Sequence, residues 1–484
     1  MRTMFNIQYE LGSQPIEELQ IPINSRDELP PTLLALQYLY KTPELNEKVC
    51  KIINPKIRRG KKQTGKKGMP GWQILVLATV RMALNTDYDQ LLIHANYNWL
   101  VRSIMGVAGS FGHLGKTYGL QTIKDNVRLL AEEDINKVND LVVSFGHQLI
   151  HKKNEPLRIK SDTYVLESNV HFPTDLNLLW DSSRKIIDVM RYCKKNYKLQ
   201  GWKKVKYWNS KLKNSQRSCS KACSSTSKSK EETIRSKVTE YLKDARAVVE
   251  KSEESKRALL RANPFDIKLI GLIYSIEYYQ EMAIKHIDLV RRRLLEGEKI
   301  PQSEKVYSIF EPHTEWISKG KLNKKVELGL KVLVSTDQHH FIVDHKVIQG
   351  QADSSLTIEL ADRLLAKFNN LYSLSIDKGF YSKENKELLS LEIPKVILPK
   401  KGKKNKKEQE EESDKEFKKL RHAHSAVEAN INQLEHNGLD RCPDKGLDGF
   451  KRYTSLGILS YNLHRVGKLL MAKSKQEEKQ QQAA

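Results

Sequence analysis

Three acidic residues, Asp162, Asp377 and Glu428, lie far apart in a chain of 484 residues. Asp162 falls in Leu157-Arg-Ile-Lys-Ser-Asp-Thr-Tyr-Val-Leu-Glu167, which alternates like a strand. Asp377 ends the apolar run before Lys378-Gly-Phe-Tyr-Ser382, and Gly379 permits a tight turn there. Glu428 belongs to a helical pattern in which Val427, Ile431 and Leu434 recur on one face, with His424 one turn before it and Glu435 two turns after. Such a trio suits phosphodiester chemistry. Two Mg²⁺ (or Mn²⁺) ions about 3.5–4 Å apart need hard oxygen ligands that converge from separate elements. Three carboxylates leave coordination positions open for substrate oxygens. With 59 acidic residues in the chain, other assignments stay open. Glu167 or Asp181 could replace Asp162, Glu435 could replace Glu428, and Asp377 could simply cap the next helix.

The elements that must bring these residues together follow from apolar spacing. Up to about residue 154 the pattern is helical throughout, including a helix opened by Pro70 and a helix or pair over 87–105. Residues 106–119 are Gly-rich and read as a loop. Strand signals occur at 157–167, 328–335, 341–348, 371–376 and 394–399, with helices expected at 354–369, 382–390, 417–437 and 453–472. Between the first two strands a long helical stretch intervenes, its start capped by Thr174 or Asp175. With that insertion removed, the order is three strands and then alternating helices and strands, which demands parallel crossovers. The fold class expected is α/β: a ribonuclease H-like mixed five-stranded sheet with a large helical insertion after the first strand, preceded by an all-α N-terminal domain. The corresponding domains are an N-terminal helical and basic arm (1–68), a helical DNA-binding domain (69–154), the catalytic core (155–180 and 306–472), the basic insertion (181–305) and a disordered tail (473–484).

Charge points to a polyanion. Lysine and arginine total 83 against 59 acids, a formal +24. Residues 56–67 hold seven basic residues and no acid, and residues 194–230 hold twelve, again with no acid. The second run interleaves Tyr197, Trp202, Tyr207 and Trp208, a composition suited to phosphates with bases or sugars to stack on. The alternative is a solvated loop whose rings belong to a nearby core. Arg58, Arg59, Lys61, Lys62, Trp202, Lys203, Lys204 and Lys206 are the DNA contacts expected from these runs, whereas Trp316 is expected in a core. A third run, 400–407, passes straight into acidic residues 408–412 and reads as a linker or an exposed helix start. Cysteines 50, 193, 219, 223 and 442 are unevenly spaced and read as free thiols. No apolar run is long enough to span a membrane, and Glu10 interrupts any signal-peptide core, so a cytoplasmic, nucleoid-associated protein is expected.

Several strings go further. Ser161-Asp-Thr-Tyr-Val-Leu-Glu-Ser-Asn-Val-His-Phe-Pro-Thr-Asp175, Ile376-Asp-Lys-Gly-Phe-Tyr-Ser382, His424-Ser-Ala-Val-Glu-Ala-Asn-Ile-Asn-Gln-Leu-Glu435 and Gly449-Phe-Lys-Arg-Tyr453 resemble the DDE transposases of bacterial insertion sequences, most closely the ISNCY group. The likeness runs from about residue 69 to 470. It implies that Asp162, Asp377 and Glu428 are the first, second and third ligands of two Mg²⁺ (or Mn²⁺) ions. The implied activity is cleavage at the terminal inverted repeats and joining of the 3′-hydroxyl ends to target DNA. Double-stranded DNA is the implied partner, with a homodimer in the synaptic complex. Related groups carry Tyr, Arg, Glu and Lys around the glutamate, where this chain has Arg421, His424, Glu428 and Glu435. The lysine's phosphate contact is therefore not carried over to Glu435; Arg421 and His424 remain DNA-contact candidates. The alternative function is a catalytically inactive DNA-binding repressor derived from a transposase; a nuclease without strand transfer is a third.

Overall fold

Helix starts in the N-terminal region follow local chemistry. α1 (Leu29–Lys41) carries Pro30 and Pro31 in its first turn, where backbone amides would be unpaired anyway. α2 (Pro43–Arg58) follows directly. α3 (Gly71–Ala83) begins behind Pro70 and is buried from Gly71 to Met82, as befits a helix apolar on nearly every side. Residues 87–105 form two helices. α4 (Tyr88–Tyr97) is capped by Asp87, which accepts from Gln90 N at 2.8 Å; α5 (Trp99–Ile104) is capped by Asn98, which accepts from Val101 N at 3.1 Å. α6 (Leu120–Val127) and α7 (Glu132–Leu149) complete the region. The computed structural model describes residues 14–58, 68–107, 116–150, 155–202, 204–227, 229–318 and 325–483.

The remaining elements, in chain order, are β1 (Leu157–Ser168), α8 (Asp175–Tyr197), α9 (Val205–Ser224), α10 (Lys230–Ala262), α11 (Ile267–Leu294), β2 (Glu315–Ser318), β3 (Val326–Thr336), β4 (Ile342–Ile348), α12 (Thr357–Lys367), β5 (Leu371–Ile376), α13 (Lys383–Glu392), β6 (Lys395–Ile397), α14 (Lys406–Ser413), α15 (Lys415–Ala423), α16 (Ser425–Leu434), β7 (Arg441–Cys442) and α17 (Leu447–Ala483). Among the described residues the strands form one mixed sheet in the order β2-β3-β1-β5-β6, with β4 also paired to β3 and β7 to β1. β1 is antiparallel to β3 and parallel to β5, and β5 is parallel to β6. The parallel pairs are what the α12 and α13 crossovers require.

The chain divides into two compact units, residues 1–169 with 317–484, and residues 170–316. In the first, the N-terminal helices share one core with the sheet: α1, α3 and α7 pack on α17, and α7 and α17 pack on β4. Gly467 makes the closest of these approaches possible, because a Cβ there would stand 1.8 Å from the Pro31 carbonyl oxygen. Arg81 is buried in the same region, its Nη2 2.7 Å from Asp444 Oδ1 and its guanidinium 4.1 Å from the Tyr88 ring centre. The tail expected to be disordered continues α17 through Ala483, and its Lys, Gln, Glu and Ala residues are strong helix formers. Residues 417–437, expected as one helix, instead form α15 and α16, which meet at His424. A wider turn at Glu435–Leu439 then ends α16, and Gly438 there adopts φ +94°, a left-handed conformation that glycine tolerates.

The second unit is built from α8 to α11. Thr174 caps α8 by accepting from Asn177 N at 3.2 Å. Its core contains Leu179, Ile186, Met190, Trp202, Tyr241 and Ile276, and the Tyr241 hydroxyl donates to the Leu176 carbonyl at 3.1 Å. Trp316 is half-buried, its ring 5.6 Å from Phe172 and 5.7 Å from Tyr307. All five cysteines are unpaired. No helix among the described residues is long and apolar enough to cross a membrane.

Candidate active site

Strand register brings the two aspartates side by side. Ser161 of β1 pairs in parallel with Ile376 of β5, so Asp162 and Asp377 are the next residues along neighbouring strands. The position is the carboxyl end of β5, the edge where open α/β sheets bind ligands. On its other side Asp162 faces Val334 of β3. Glu428 arrives from α16, which packs on β1 and β3 through buried Val427, Ile431 and Leu434. Asp162 is half-buried; Asp377 and Glu428 are exposed.

Asp377 is not spent as a helix cap. Its side chain caps nothing, and α13 is capped instead by Ser382, which accepts from Asn385 N at 2.9 Å. Neither the Asp377 nor the Glu428 carboxylate has a hydrogen-bond or salt-bridge partner among the described residues. The other assignments lose ground on position. Glu167 lies five residues on, on the opposite face of β1, and pairs with Arg441 at 3.4 Å. Asp181 belongs to the helical unit and sits 2.5 Å from His171 Nε2. Glu435 adds its charge at Tyr164, two residues beyond Asp162.

The carboxylates are near enough to influence one another electrostatically. Asp162 is pushed up to about 6, first by burial and then by the negative charges of Asp377, Glu428 and Asp353; the Thr163 amide, donating at 2.7 Å, opposes this. Asp353 is a fourth carboxylate that the sequence did not single out. It lies 2.9 Å from Lys331 Nζ and 3.3 Å from where a Cβ on Gly379 would stand. Lys331 interrupts the apolar run of β3, which was the one available signal for this pair. Among the described residues, no group of three or more His, Cys, Asp or Glu side chains stands close enough to hold a metal ion. The carboxylates thus share one field without forming a closed cage. Their donor chemistry, all hard anionic oxygen, still fits a divalent cation such as Mg²⁺.

This arrangement has a testable cost. Without a cation, the raised carboxylate means the folded chain holds its proton more tightly than the unfolded chain, so stability falls as pH rises through about 6. Asp162→Asn removes that penalty. In chelator at about pH 7.5 the variant should be more stable than wild type by up to about 3 kcal/mol, and the gap should close below about pH 4. Equal melting of the two proteins at the higher pH would contradict the crowding of charge.

His424 and Arg421 differ in their surroundings. His424 is half-buried at the α15–α16 joint, its Nδ1 3.1 Å from Ser375 Oγ. Burial lowers its pKa, while Asp377 and Glu428 pull the other way. Arg421 is exposed and 3.4 Å from Glu412 Oε2. The run at 400–407 is partly neutralised by the acids after it: Lys400 pairs with Glu408 at 2.9 Å and Lys404 with Glu412 at 2.5 Å.

The basic segments fare unequally. Arg59, Lys61, Lys62 and Lys203 lie outside the described residues, and Arg58 is placed only as the end of α2. Lys204 and Lys206 are exposed. Trp202 corrects the sequence expectation, because it is fully buried and its indole nitrogen donates to Ser255 Oγ at 2.8 Å. A ring closed into the helical core cannot stack on a base. No family model, curated protein or solved structure gives a significant match to this chain.

Proposed function

We propose that this chain is a DNA transposase of the DDE type, resembling the ISNCY group, and that its sheet is ribonuclease H-like. The observation that carries the reading is the register that sets Asp162 of β1 beside Asp377 at the end of β5, with Glu428 of α16 near enough to add to the charge at Asp162. Topology supports it: the five principal strands run in the spatial order third, second, first, fourth, fifth, and only the second opposes the first. The formal +24 supports a DNA partner.

In this reading Asp162, Asp377 and Glu428 hold two Mg²⁺ (or Mn²⁺) ions. When bound, such ions supply activation of the attacking oxygen and charge stabilisation of the leaving one. The protein's own part is positional. β1 and β5 fix the two aspartates through the sheet, and the apolar face of α16 seats the helix that carries Glu428 on β1 and β3. Lys331 compensates Asp353, so that charge does not add fully to the cluster. Water attacks phosphorus at the element end and the bond to the 3′ oxygen breaks, leaving a free 3′-hydroxyl. That hydroxyl attacks a target phosphate, a new P–O bond forms, and the target's own 3′ oxygen departs with the proton. Two ends call for two copies of the chain.

The absence of a closed cage favours one second reading, a DNA-binding repressor that has lost catalysis. Incubation with duplex DNA carrying the sequences that flank the reading frame, in Mg²⁺, separates the possibilities. Nicked and then joined products support the transposase. Nicks without joining indicate a nuclease, and binding without nicks indicates the repressor.

A further inference from the structure

The second unit ends in an apolar point surrounded by positive charge. α10 and α11 are joined by Asn263-Pro264-Phe265-Asp266, and Phe265 is 91% exposed, with Ile267 behind it 85% exposed. Pro264 is exposed as well. A single apolar side chain in water needs no explanation; three within four residues at the end of a helical hairpin form a deliberate projection. The start of α11 at the tip is capped by Asp266, which accepts from Leu269 N at 2.9 Å.

The same end of the unit carries the first part of the acid-free basic run, at the end of α8. Tyr197, at the end of α8, stands near Asp266, and Lys268 lies 5.3 Å from the Tyr192 ring centre. Trp202 is tied to Ser255 of α10, two turns before the end of that helix. Lys194, Lys195, Lys198 and Arg261 are all exposed, and none has a salt-bridge partner among the described residues. Asp266, the acid between Phe265 and Ile267, is already engaged in capping α11.

We infer that this tip is a DNA wedge: Phe265, with Pro264 and Ile267, enters the minor groove of duplex DNA and partly unstacks a base step, while the surrounding lysines and Arg261 hold the phosphates. Apolar side chains of these types inserted at a base step kink the duplex, and the kink lets more of the protein reach the backbone. A second copy of the chain fits the tip poorly, since joining two such ends brings like charges together. The inference rests on the reading that the chain acts on DNA, and it deepens that reading by naming a contact far in sequence from the carboxylates.

The test uses the full chain and a mixed-sequence duplex of about 30 base pairs, end-labelled for energy transfer, with affinity followed across salt. Phe265→Ala should fold as wild type, because the ring is almost wholly in solvent. It should weaken binding about tenfold and abolish the bend, with the salt slope unchanged. Lys198→Ala should instead reduce the salt slope by about one and keep the bend. Unchanged bending and affinity in Phe265→Ala would overturn the wedge while leaving the transposase reading intact. So would conversion of a dimer to a monomer without loss of DNA affinity. A wild-type chain that ignores duplex DNA at low salt would remove both.

Discussion

If the proposed reading holds, Asp377→Asn should lower Mg²⁺-dependent strand cleavage by about a thousandfold or more, while duplex binding should stay within about threefold of wild type. The first figure corresponds to about 4 kcal/mol, the scale expected when one hard anionic ligand is lost from a site that must neutralise developing charge. The second follows from where Asp377 stands. Its carboxylate is exposed and holds no hydrogen bond or ion pair among the described residues, so its replacement disturbs nothing structural. The turn behind it is kept by backbone, Phe380 N donating to the Asp377 carbonyl at 3.1 Å. Glu428→Gln should behave alike, since that side chain is also exposed and unpaired. Cleavage by Asp377→Asn at the wild-type rate, measured on the same end-containing duplex, removes Asp377 from the reacting centre.

The second large effect concerns stability. Arg81→Ala should destabilise the sheet-bearing unit by about 3–5 kcal/mol, because it strands Asp444 as a buried charge without its partner. Arg81 Nη1 also lies 3.2 Å from the Tyr88 hydroxyl, so a second contact is lost with the first. In a thermal melt the corresponding transition should fall by about 5–10 °C. Arg81→Met combined with Asp444→Leu should recover most of that loss, since a well-packed apolar pair of similar volume replaces both charges. A single variant that melts with wild type would mean the pair contributes nothing to holding α3 against the segment before α17.

The frame of the site could be read from residues alone because its signals are local. Alternation marks β1, Gly379 marks the turn after Asp377, and Val427, Ile431 and Leu434 mark the buried face of the glutamate helix. What escaped was set by partners distant in the chain. Trp202 among lysines has the composition of an interface, yet Ser255, 53 residues away, is what draws its indole inside. Asp353 has no motif around it, and only its ion pair with Lys331 of β3 places it beside Asp162. The break at His424 carries no proline or glycine. The residue keeps helical backbone angles, and its ring is bonded across to Ser375 of β5. Arg81 looked like one more residue in an apolar helix, because its counter-charge comes from position 444. In the tail, low sequence complexity suggested disorder, but helix propensity carries α17 on to Ala483.

The most direct measurement is Mn²⁺ uptake by the full chain, followed through the paramagnetic signal of the free ion near neutral pH. Wild type should sequester the ion, and a variant combining Asp162→Asn, Asp377→Asn and Glu428→Gln should leave it in solution while melting no lower than wild type in chelator. Equal uptake by the two proteins would place any cation elsewhere and contradict the assignment of these three carboxylates.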